Sequence, residues 1–388
     1  MKDHGQDTRR IPSGRRFFLF FLTLVGLVSC SEGEVSRRGS VDAQGPDRPL
    51  SWEISEQRVL ARPTGGSPGW FAGLHPALVA GSSQGSVYVL DDVSGTVVSF
   101  DPAGNFVQRW GRRGGGPGEF SAPVAIGVEG DTVLIVYDLA KRALVRLRSD
   151  GTSLAERHVD GAYAGGPLLV ESNGVIMASV SVVRGKGILR TTLAFADSTA
   201  RRPLLVHDRP LPRGLVFPGC PTPLPISKRF QPVLVWGGSG ARSAAVADAR
   251  YLVTVWDGSS KTLTIGRPMR AAAANRDWAM QDLRDDPLGR RAIADCGVDA
   301  EQLLTLVGYA DELQIVQRIA VTPNGEIWVT VRSRSGIATD VFSPHGGYVG
   351  TLTADLPLIS SFIDDSTFTA IVESDSGHRV GLYRIRRG

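Results

Sequence analysis

The chain reads Ser86-Val-Tyr-Val-Leu-Asp91, then Val97-Val-Ser-Phe-Asp101 and Phe106-Val-Gln-Arg-Trp110, three short apolar runs separated by polar turns. After a glycine-rich loop the pattern returns as Pro123-Val-Ala-Ile126, Thr132-Val-Leu-Ile-Val-Tyr-Asp138, Ala143-Leu-Val-Arg-Leu-Arg148 and Leu154-Ala-Glu-Arg-His158. Four short strands in about 45 residues, punctuated by Gly, Asp and Asn turns, are typical of one blade of a β-propeller. The sequence therefore predicts an all-β propeller.

Looser copies of the same unit continue to the end of the chain. Three more units begin near Pro167, Pro232 and Ile315, and a last one, from Leu358, offers only three strands. A ring whose last blade lacks its outermost strand must borrow one or leave an open edge. Residues 51–62 lie upstream without a blade of their own, so we expect them to supply that strand. This gives six blades, with five or seven as the alternatives.

The glycine-rich loop carries a resemblance to a known family. Trp110-Gly-Arg-Arg-Gly-Gly-Gly-Pro-Gly-Glu-Phe-Ser-Ala-Pro123, followed by Val133-Leu-Ile-Val-Tyr-Asp138, is similar to the inter-blade signature of NHL-type six-bladed β-propellers, especially their bacterial lipoprotein branch. The close similarity covers two blades, and Tyr137-Asp138 stands where the family commonly has Ala-Asp. The resemblance implies a six-bladed β-propeller. It implies no single activity, because NHL-like propellers have widely varied roles.

The N-terminus has the layout of an export signal. A basic stretch ends at Arg16, and residues 17–28 form an apolar run too short for a membrane span of about 20 residues. The run ends at Leu27-Val28-Ser29-Cys30, which resembles the lipobox of bacterial lipoproteins. The resemblance implies that residues 1–29 are a signal peptide and that Cys30 carries the lipids. An uncleaved anchor, or a soluble signal with an unrelated cysteine, is the alternative.

Two details bear on the route and the destination of export. Arg15-Arg16-Phe17-Phe18-Leu19 resembles the core of a twin-arginine signal, although Gly14 replaces the usual Ser or Thr, so this route and the general secretory route both stay open. The residue after Cys30 is Ser31. An Asp at this position would resemble a signal that retains a lipoprotein in the inner membrane. We therefore expect a lipoprotein of the bacterial cell envelope, in the outer membrane and facing the periplasm. Residues 30–49 lack an apolar period and predict a flexible tether before a propeller over 50–388.

The charge distribution argues against a nucleic-acid partner. The formal net charge is +4, but residues 1–29 hold five basic and two acidic side chains and account for +3 of it. The remaining chain is close to neutral and offers no basic footprint for DNA or RNA. Its 42% hydrophobic and 21% charged residues are those of an ordinary folded domain.

Two long connections interrupt the repeat, at residues 208–231 and 268–314. The first contains six prolines and predicts an irregular, stiff loop. The second has helical propensity over 271–283, and Asp299-Ala-Glu-Gln302 fits a helix N-cap with Gln at the third position. We therefore expect a propeller with a small helical insertion. Both connections leave the propeller from the same face. Loops of this length are commonly functional, and the alternative is that they form a lid that merely covers the mouth of the channel.

Each insertion contains one cysteine. In an exported protein, Cys220 and Cys296 invite a disulfide, and their placement on one face brings them within reach. Two unpaired thiols are the alternative, which folding in a reducing cytoplasm before twin-arginine export would favour.

No catalytic constellation stands out. The histidines show no metal-ligand spacing, a Gly-x-Ser-x-Gly elbow is absent, and Gly114–Gly118 lacks the Lys-Ser/Thr of a phosphate loop. Asp91, Asp92 and Asp138 end second strands towards the channel, where some six-bladed hydrolases hold calcium, but matching Asn and Glu at other blades are missing. We predict no catalytic residue, metal ligand or cofactor, with channel calcium as the alternative.

The candidate binding residues lie, in this layout, on the face of the propeller that carries the insertions: Arg112, Arg113, Asp138, Lys141 and Arg142. The basic members could meet an anionic glycan or an acidic partner, or could simply form a solvated rim. The sequence thus favours a non-enzymatic module that binds an envelope protein, peptide or glycan and reaches the membrane through its lipid. The alternatives are a hydrolase or lyase with a metal in the central channel, and a purely structural envelope part. Binding surfaces concentrate on variable loops, so we expect any partner against the two insertions.

Overall fold

The structure, a computed structural model, describes most of the chain from Ser40 onward. The described residues are 40–42, 47–60, 62–64, 67–69, 71, 74–160, 162–171, 174–196, 203–220, 222–333, 336–353, 356–374 and 377–388. The predicted signal peptide over 1–29, and Cys30, lie outside these residues.

Most strands belong to six antiparallel sheets of one plan, which we number as blades in chain order. Before the first blade come β1 (Ser40–Asp42), β2 (Glu53–Leu60), the hairpin of β3 (Arg62–Thr64) and β4 (Ser67–Gly69), and a 3₁₀ turn at Pro76–Leu78. Blade 1 contains β5 (Val79–Gly81), β6 (Val87–Asp91), β7 (Thr96–Phe100) and β8 (Phe106–Trp110). Blade 2 contains β9 (Pro123–Glu129), β10 (Val133–Asp138), β11 (Ala143–Arg148) and β12 (Ser153–His158). Blade 3 contains β13 (Ala162–Tyr163), β14 (Leu169–Glu171), β15 (Gly174–Val183), β16 (Ile188–Phe195) and β17 (Pro203–Pro210).

Two elaborate connections surround blade 4. The first holds the hairpin of β18 (Arg213–Leu215) and β19 (Leu224–Ile226). Blade 4 contains β20 (Val235–Ser239), β21 (Arg242–Val246), β22 (Leu252–Asp257) and β23 (Ser260–Gly266). The second connection holds helices α1 (Arg276–Asp285), α2 (Pro287–Ala294) and α3 (Ala300–Val307). Blade 5 contains β24 (Val316–Val321), β25 (Ile327–Ser333), β26 (Gly336–Phe342) and β27 (Tyr348–Leu352), and blade 6 contains β28 (Leu358–Phe362), β29 (Thr367–Ser374) and β30 (Gly377–Arg386). Within the described residues no helix is long and apolar enough to cross a membrane.

The blades form a closed ring, and the protein is a six-bladed β-propeller. Innermost strands of successive blades contact one another in the order β5, β9, β14, β20, β24, β28 and back to β5. The middle strands β6 and β7 are buried along their whole length, because blades pack face to face and hide both sides of a sheet. Outer strands such as β12 are mostly exposed. Sequence periodicity alone predicted this fold correctly, including the number of blades.

The ring is closed by the strand that precedes the first blade. β2 pairs antiparallel with β30, from Glu53 opposite Arg386 to Leu60 opposite Val380. Leu60 is fully buried, and the Glu56 carboxylate accepts hydrogen bonds from Arg379 at 2.9 Å and from the Tyr383 hydroxyl at 2.8 Å. The prediction that residues 51–62 complete the last blade is thus confirmed.

The tether predicted over residues 30–49 needs correction in two places. β1 pairs in parallel with β23, the outer strand of blade 4. Further on, Leu50 donates its backbone N–H to the Thr351 carbonyl at 2.9 Å, and Thr351 donates to the Arg48 carbonyl at 2.7 Å, which covers part of the edge of blade 5. An outer strand has unpaired backbone groups along its edge, and a neighbouring segment can satisfy them without any apolar alternation of its own.

The insertions are more regular than the sequence indicated. β17 continues to Pro210, and the proline-rich loop after it contains the hairpin of β18 and β19. Helix α1 begins at Arg276 rather than near residue 271, because the Asn275 side chain caps it by accepting from the Trp278 N–H at 2.9 Å. The N-cap predicted at Asp299 is present and accepts from Gln302 N–H at 2.9 Å. Helix α2 was missed, although Asp286-Pro287 is a cap followed by proline at the first helical position.

Removing β2 should leave the outer edge of β30 unpaired. We expect a chain that begins at Gly65 to aggregate, or to melt at least about 10 °C below one that begins at Ser31, because it loses a whole strand and the buried Leu60. A chain that begins at Ser51 keeps β2 and serves as the control for the loss of the preceding segment. Equal melting temperatures for all three, measured by circular dichroism, would mean that the ring closes without β2.

Candidate functional site

The two insertions fold together into one body, here called the cap (residues 211–234 and 267–315). Three apolar side chains of the first insertion are buried against six of the second. These are Phe217, Leu224 and Ile226 on one side and Ala279, Met280, Leu283, Ala292, Leu303 and Leu304 on the other. Each insertion alone is too short to bury its apolar face. Because the core is shared between them, neither insertion has the sequence pattern of a separate domain.

Covalent and ionic contacts join the two halves of the cap. Cys220 and Cys296 form a disulfide across 76 residues of chain, with their Cα atoms 5.1 Å apart. The mostly buried Arg229 of the first insertion donates to the Asp282 carboxylate on α1 at 2.5 Å. Its backbone N–H donates to the Gly308 carbonyl at 3.0 Å, and its carbonyl accepts from Ala310 at 2.9 Å.

The cap is fixed to the propeller where its two segments return to the blades. The Gln314 side chain holds Val233 by both backbone groups, accepting from its N–H and donating to its carbonyl at 2.9 Å each. Arg267, at the start of the second insertion, donates to the buried Asp340 of blade 5 at 3.1 Å and stacks on the Tyr348 ring at 4.4 Å. A cap held at both ends can present a defined surface rather than a mobile loop.

Two cavities open near the base of the cap, on the face that carries the connections between blades. One, of about 410 Å³, lies beside blade 4, and its lining residues are Ala249, Arg250, Met269, Arg270, Ala271, Ala273, Glu312 and Ile315. The other, of about 330 Å³, lies between blades 5 and 6 and is here called the 5–6 cleft. Its wall includes β24, which follows the cap directly, so cap and cleft share one region of the ring.

The 5–6 cleft combines an apolar interior with a basic rim. Trp328 is buried in its floor, and Thr330 and Thr339 place their hydroxyl oxygens 3.2 Å apart. Its exposed charged side chains are Arg318, Arg332 and Glu373. Sequence reasoning missed these arginines. Two features of the sequence could have indicated them. Arg318 stands among mostly apolar residues inside the innermost strand Val316-Gln-Arg-Ile-Ala-Val321, and Arg332 stands near the end of β25.

The five predicted binding residues lie together at blades 1 and 2, and four of them have structural contacts. The Asp138 side chain is fully buried and accepts from the backbone N–H groups of Ser121, Ala122 and Lys141 at 2.6–3.1 Å. The other contacts are made by Arg113 with the carbonyls of Asp92, Val93 and Ser121, by Lys141 with Gly116 and Glu156, and by Arg112 with Glu119.

These contacts hold the glycine-rich loop in place. The Gly116 N–H and the Arg112 guanidinium lower the pKa of the Glu119 carboxyl, and a Cβ at Gly114 would overlap that carboxylate. Arg142 is exposed and has a positive φ of 52°. A role for these residues in binding stays a prediction. In the described part of the chain, no three His, Cys, Asp or Glu side chains are grouped as metal ligands.

Known proteins resemble this chain chiefly in fold. The family model DUF5128, described as a 6-bladed beta-propeller, matches residues 80–164, the two blades whose repeat is clearest. No curated protein matches the chain. The NHL-like lipoprotein affiliation stays a prediction.

Solved structures with similar folds are distant in sequence. A protein of Bacteroides fragilis NCTC 9343 described as a candidate exported protein is 10% identical, with a TM-score of 0.49, over 89% of this chain and 98% of its own. A member of the DUF4221 family from Bacteroides vulgatus is 9% identical, with a TM-score of 0.48, over 88% of this chain and 100% of its own. The PQQ-bound aldose sugar dehydrogenase of Streptomyces coelicolor is 12% identical, with a TM-score of 0.41, over 87% and 99%. None of these likenesses bears on what this chain binds.

Glu171 is a buried acid at the inner edge of blade 3, away from the cap face. It is 3% exposed, and neither carboxylate oxygen has a hydrogen-bond partner within the described residues. Burial, and secondarily the charge of Asp257, raises its pKa from 4.5 to about 7. The folded state therefore holds a proton that the unfolded state releases between pH 4.5 and 7, so this group's contribution to stability falls as the pH rises through that window.

Replacing Glu171 by Gln should remove this pH dependence. We expect Glu171→Gln to match the wild type near pH 4.5 and to exceed its unfolding free energy by up to about 3 kcal/mol at pH 8. Urea unfolding at both pH values measures the difference, and the exposed Glu312→Gln is the control. A gap between variant and wild type that stays constant with pH would contradict the assignment.

Proposed function

We propose that this chain is a lipid-anchored binding module of the bacterial cell envelope, whose partner is a protein, peptide or glycan that docks on the cap. The observation that carries the proposal is the cap itself. Two separate connections converge into one body with its own core and a disulfide, although closure of the ring requires only that β2 pair with β30. Structure elaborated on one face of a rigid scaffold is the usual form of a recognition surface.

Exposed apolar side chains on the cap support a partner that covers part of it. Trp278 on α1 is 49% exposed, Leu306 on α3 is 55% exposed, and Val216 in the hairpin loop is 74% exposed. Tryptophan is among the residues that contribute most when an interface buries them. A partner that covered these side chains would remove apolar surface from water.

Two features support the envelope as the compartment. The disulfide between Cys220 and Cys296 is of the kind that persists in oxidising compartments such as the periplasm. The lipobox-like Leu27-Val28-Ser29-Cys30 would place the lipid at the start of the mature chain. The intervening residues up to β1 would then set the reach between membrane and propeller.

The anchor is tested by substituting its cysteine. We expect Cys30→Ser to abolish metabolic labelling with palmitate and to move the protein to the aqueous fraction, because the lipid supplies the membrane affinity. Cys220→Ser, which removes a cysteine of the cap, is the matched control and should stay in the membrane fraction. Retention of Cys30→Ser in membranes after carbonate washing would overturn lipid anchoring.

The docking face is tested by photo-crosslinking in living cells. A photoreactive amino acid at Val216, Trp278 or Leu306 should yield one shared crosslinked species, because all three are exposed on the cap. Exposed positions on the opposite face, Ala103 in a short turn and Ser260 at the start of β23, provide the control and should give none. Replacing 275–310 by a short Gly-Ser turn, which the hydrogen bond from Ala274 N–H to the Asp311 carbonyl can close, should abolish the species formed from Val216. Crosslinks from Ala103 or Ser260 alone would place the partner on the other face and refute the proposal.

A further inference from the structure

We propose that the 5–6 cleft binds a small organic carboxylate with an apolar body. This site is separate from the exposed cap surface, and the proposal does not depend on the function proposed above.

The size of the cleft limits its ligand to a small molecule. Its volume of about 330 Å³ lies at the lower end of the range of about 300–1,000 Å³ that is typical of small-molecule sites. Blade 5 supplies β24 and the facing ends of β25 and β26, and blade 6 supplies β28, part of β29 and the connection before them. The walls are therefore strands of the rigid ring, which hold a site more precisely than loops do.

The apolar part of the cleft suits an apolar body. Trp328 is buried in its floor, and Leu358 and Ile359 of the facing blade are half-buried. Ile319 and Ile371 also line it, but they pack into the apolar cores on the far sides of their blades. Ile337 lies at the rim and is 51% exposed, so a ligand could cover it. These apolar side chains favour contact with a hydrocarbon or aromatic group.

The charges at the rim suit an anionic head. The charged residues that line the cleft are Arg318, Arg332 and a single acid, Glu373, whose carboxylate lies 4.0 Å from the His378 Nε2 atom. Within the described part of the chain, no carboxylate pairs with the Arg332 guanidinium. A guanidinium presents parallel N–H donors whose spacing matches the two oxygens of a carboxylate. The net positive rim therefore selects an acid over its neutral analogue.

Polar groups between rim and floor can complete the recognition of the head. Thr330 and Thr339 offer a pair of hydroxyls, and the Gln317 amide is held in place by donating to the Gln314 carbonyl at 2.5 Å. The buried Trp328 indole Nε1–H has no acceptor among the residues that the structure describes, which is uncommon for a buried donor. The indole ring packs against Trp52 and Phe362, with ring centroids 5.8 and 5.3 Å apart, so it forms part of the floor under the apolar body.

Isothermal titration calorimetry of the full-length chain tests the site with two matched pairs of probes. Phenylacetate and hexanoate are the acids, and phenylacetamide and hexanamide are their neutral counterparts. We expect at least one acid to bind with a stoichiometry of one, at least about tenfold more tightly than its amide, and more weakly as salt is added. The absence of saturable binding by both acids up to about 10 mM, or equal affinity for acid and amide, would overturn the proposal.

Variants locate the binding. Arg318→Gln combined with Arg332→Gln changes only exposed side chains and should weaken the acid at least about tenfold while leaving the amide unchanged. Ala320→Leu, which adds volume at the half-buried wall, should weaken acid and amide alike. Arg109→Gln, an exposed arginine on blade 1, is the control and should behave as wild type. If the double variant retains wild-type affinity for the acid, the carboxylate does not bind in this cleft.

Discussion

Everything in this molecule depends on the pairing of β2 with β30. Closing a propeller brings together its first and last blades, which are far apart in the chain, and this costs loop-closure entropy. Here the last blade is one strand short, and an N-terminal strand completes it through seven aligned residue pairs and the buried Leu60. The preceding residues continue along the edges of blades 5 and 4, so one segment contacts three blades and protects edges that could otherwise pair with other chains.

A closed ring allows the loops of one face to diverge without loss of the fold. The first insertion follows blade 3 and the second follows blade 4, and each contributes part of a core that neither could form alone. The disulfide, Arg229 and Gln314 then fix the cap within itself and onto the ring. The buried contact between Arg267 and Asp340 joins the base of the cap to blade 5. Tyr251 of blade 4 donates to the same carboxylate at 3.0 Å, and burial together with that charge raises the pKa of Tyr251. The cap is thus an extension of the scaffold, and the 5–6 cleft beside it has rigid walls.

The residues that looked most like a binding surface illustrate how a glycine-rich connection keeps its shape. Asp138 accepts three backbone hydrogen bonds, and Arg113 donates to three carbonyls, because a loop without regular pairing must satisfy its polar groups through side chains. In the sequence, a charged residue that holds a loop in place has the same charge and the same kind of position as one that binds a ligand. The direction of the side chain, which only the structure gives, distinguishes the structural role from the binding role.

The sequence by itself determined the blades, their number and the strand that closes the ring, because alternating apolar strands and their turns are local signals repeated six times. It also determined where helix α3 begins, since the N-cap residue Asp299 accepts a hydrogen bond from a backbone N–H only three positions away. The tertiary structure alone decided that two insertions share one core, that β1 extends blade 4, and that Arg318 and Arg332 meet at a cleft between blades. Those features join residues that are distant in the chain or lie on separate strands. They depend on how the strands curve and pack, and a local stretch of sequence contains no signal for that packing.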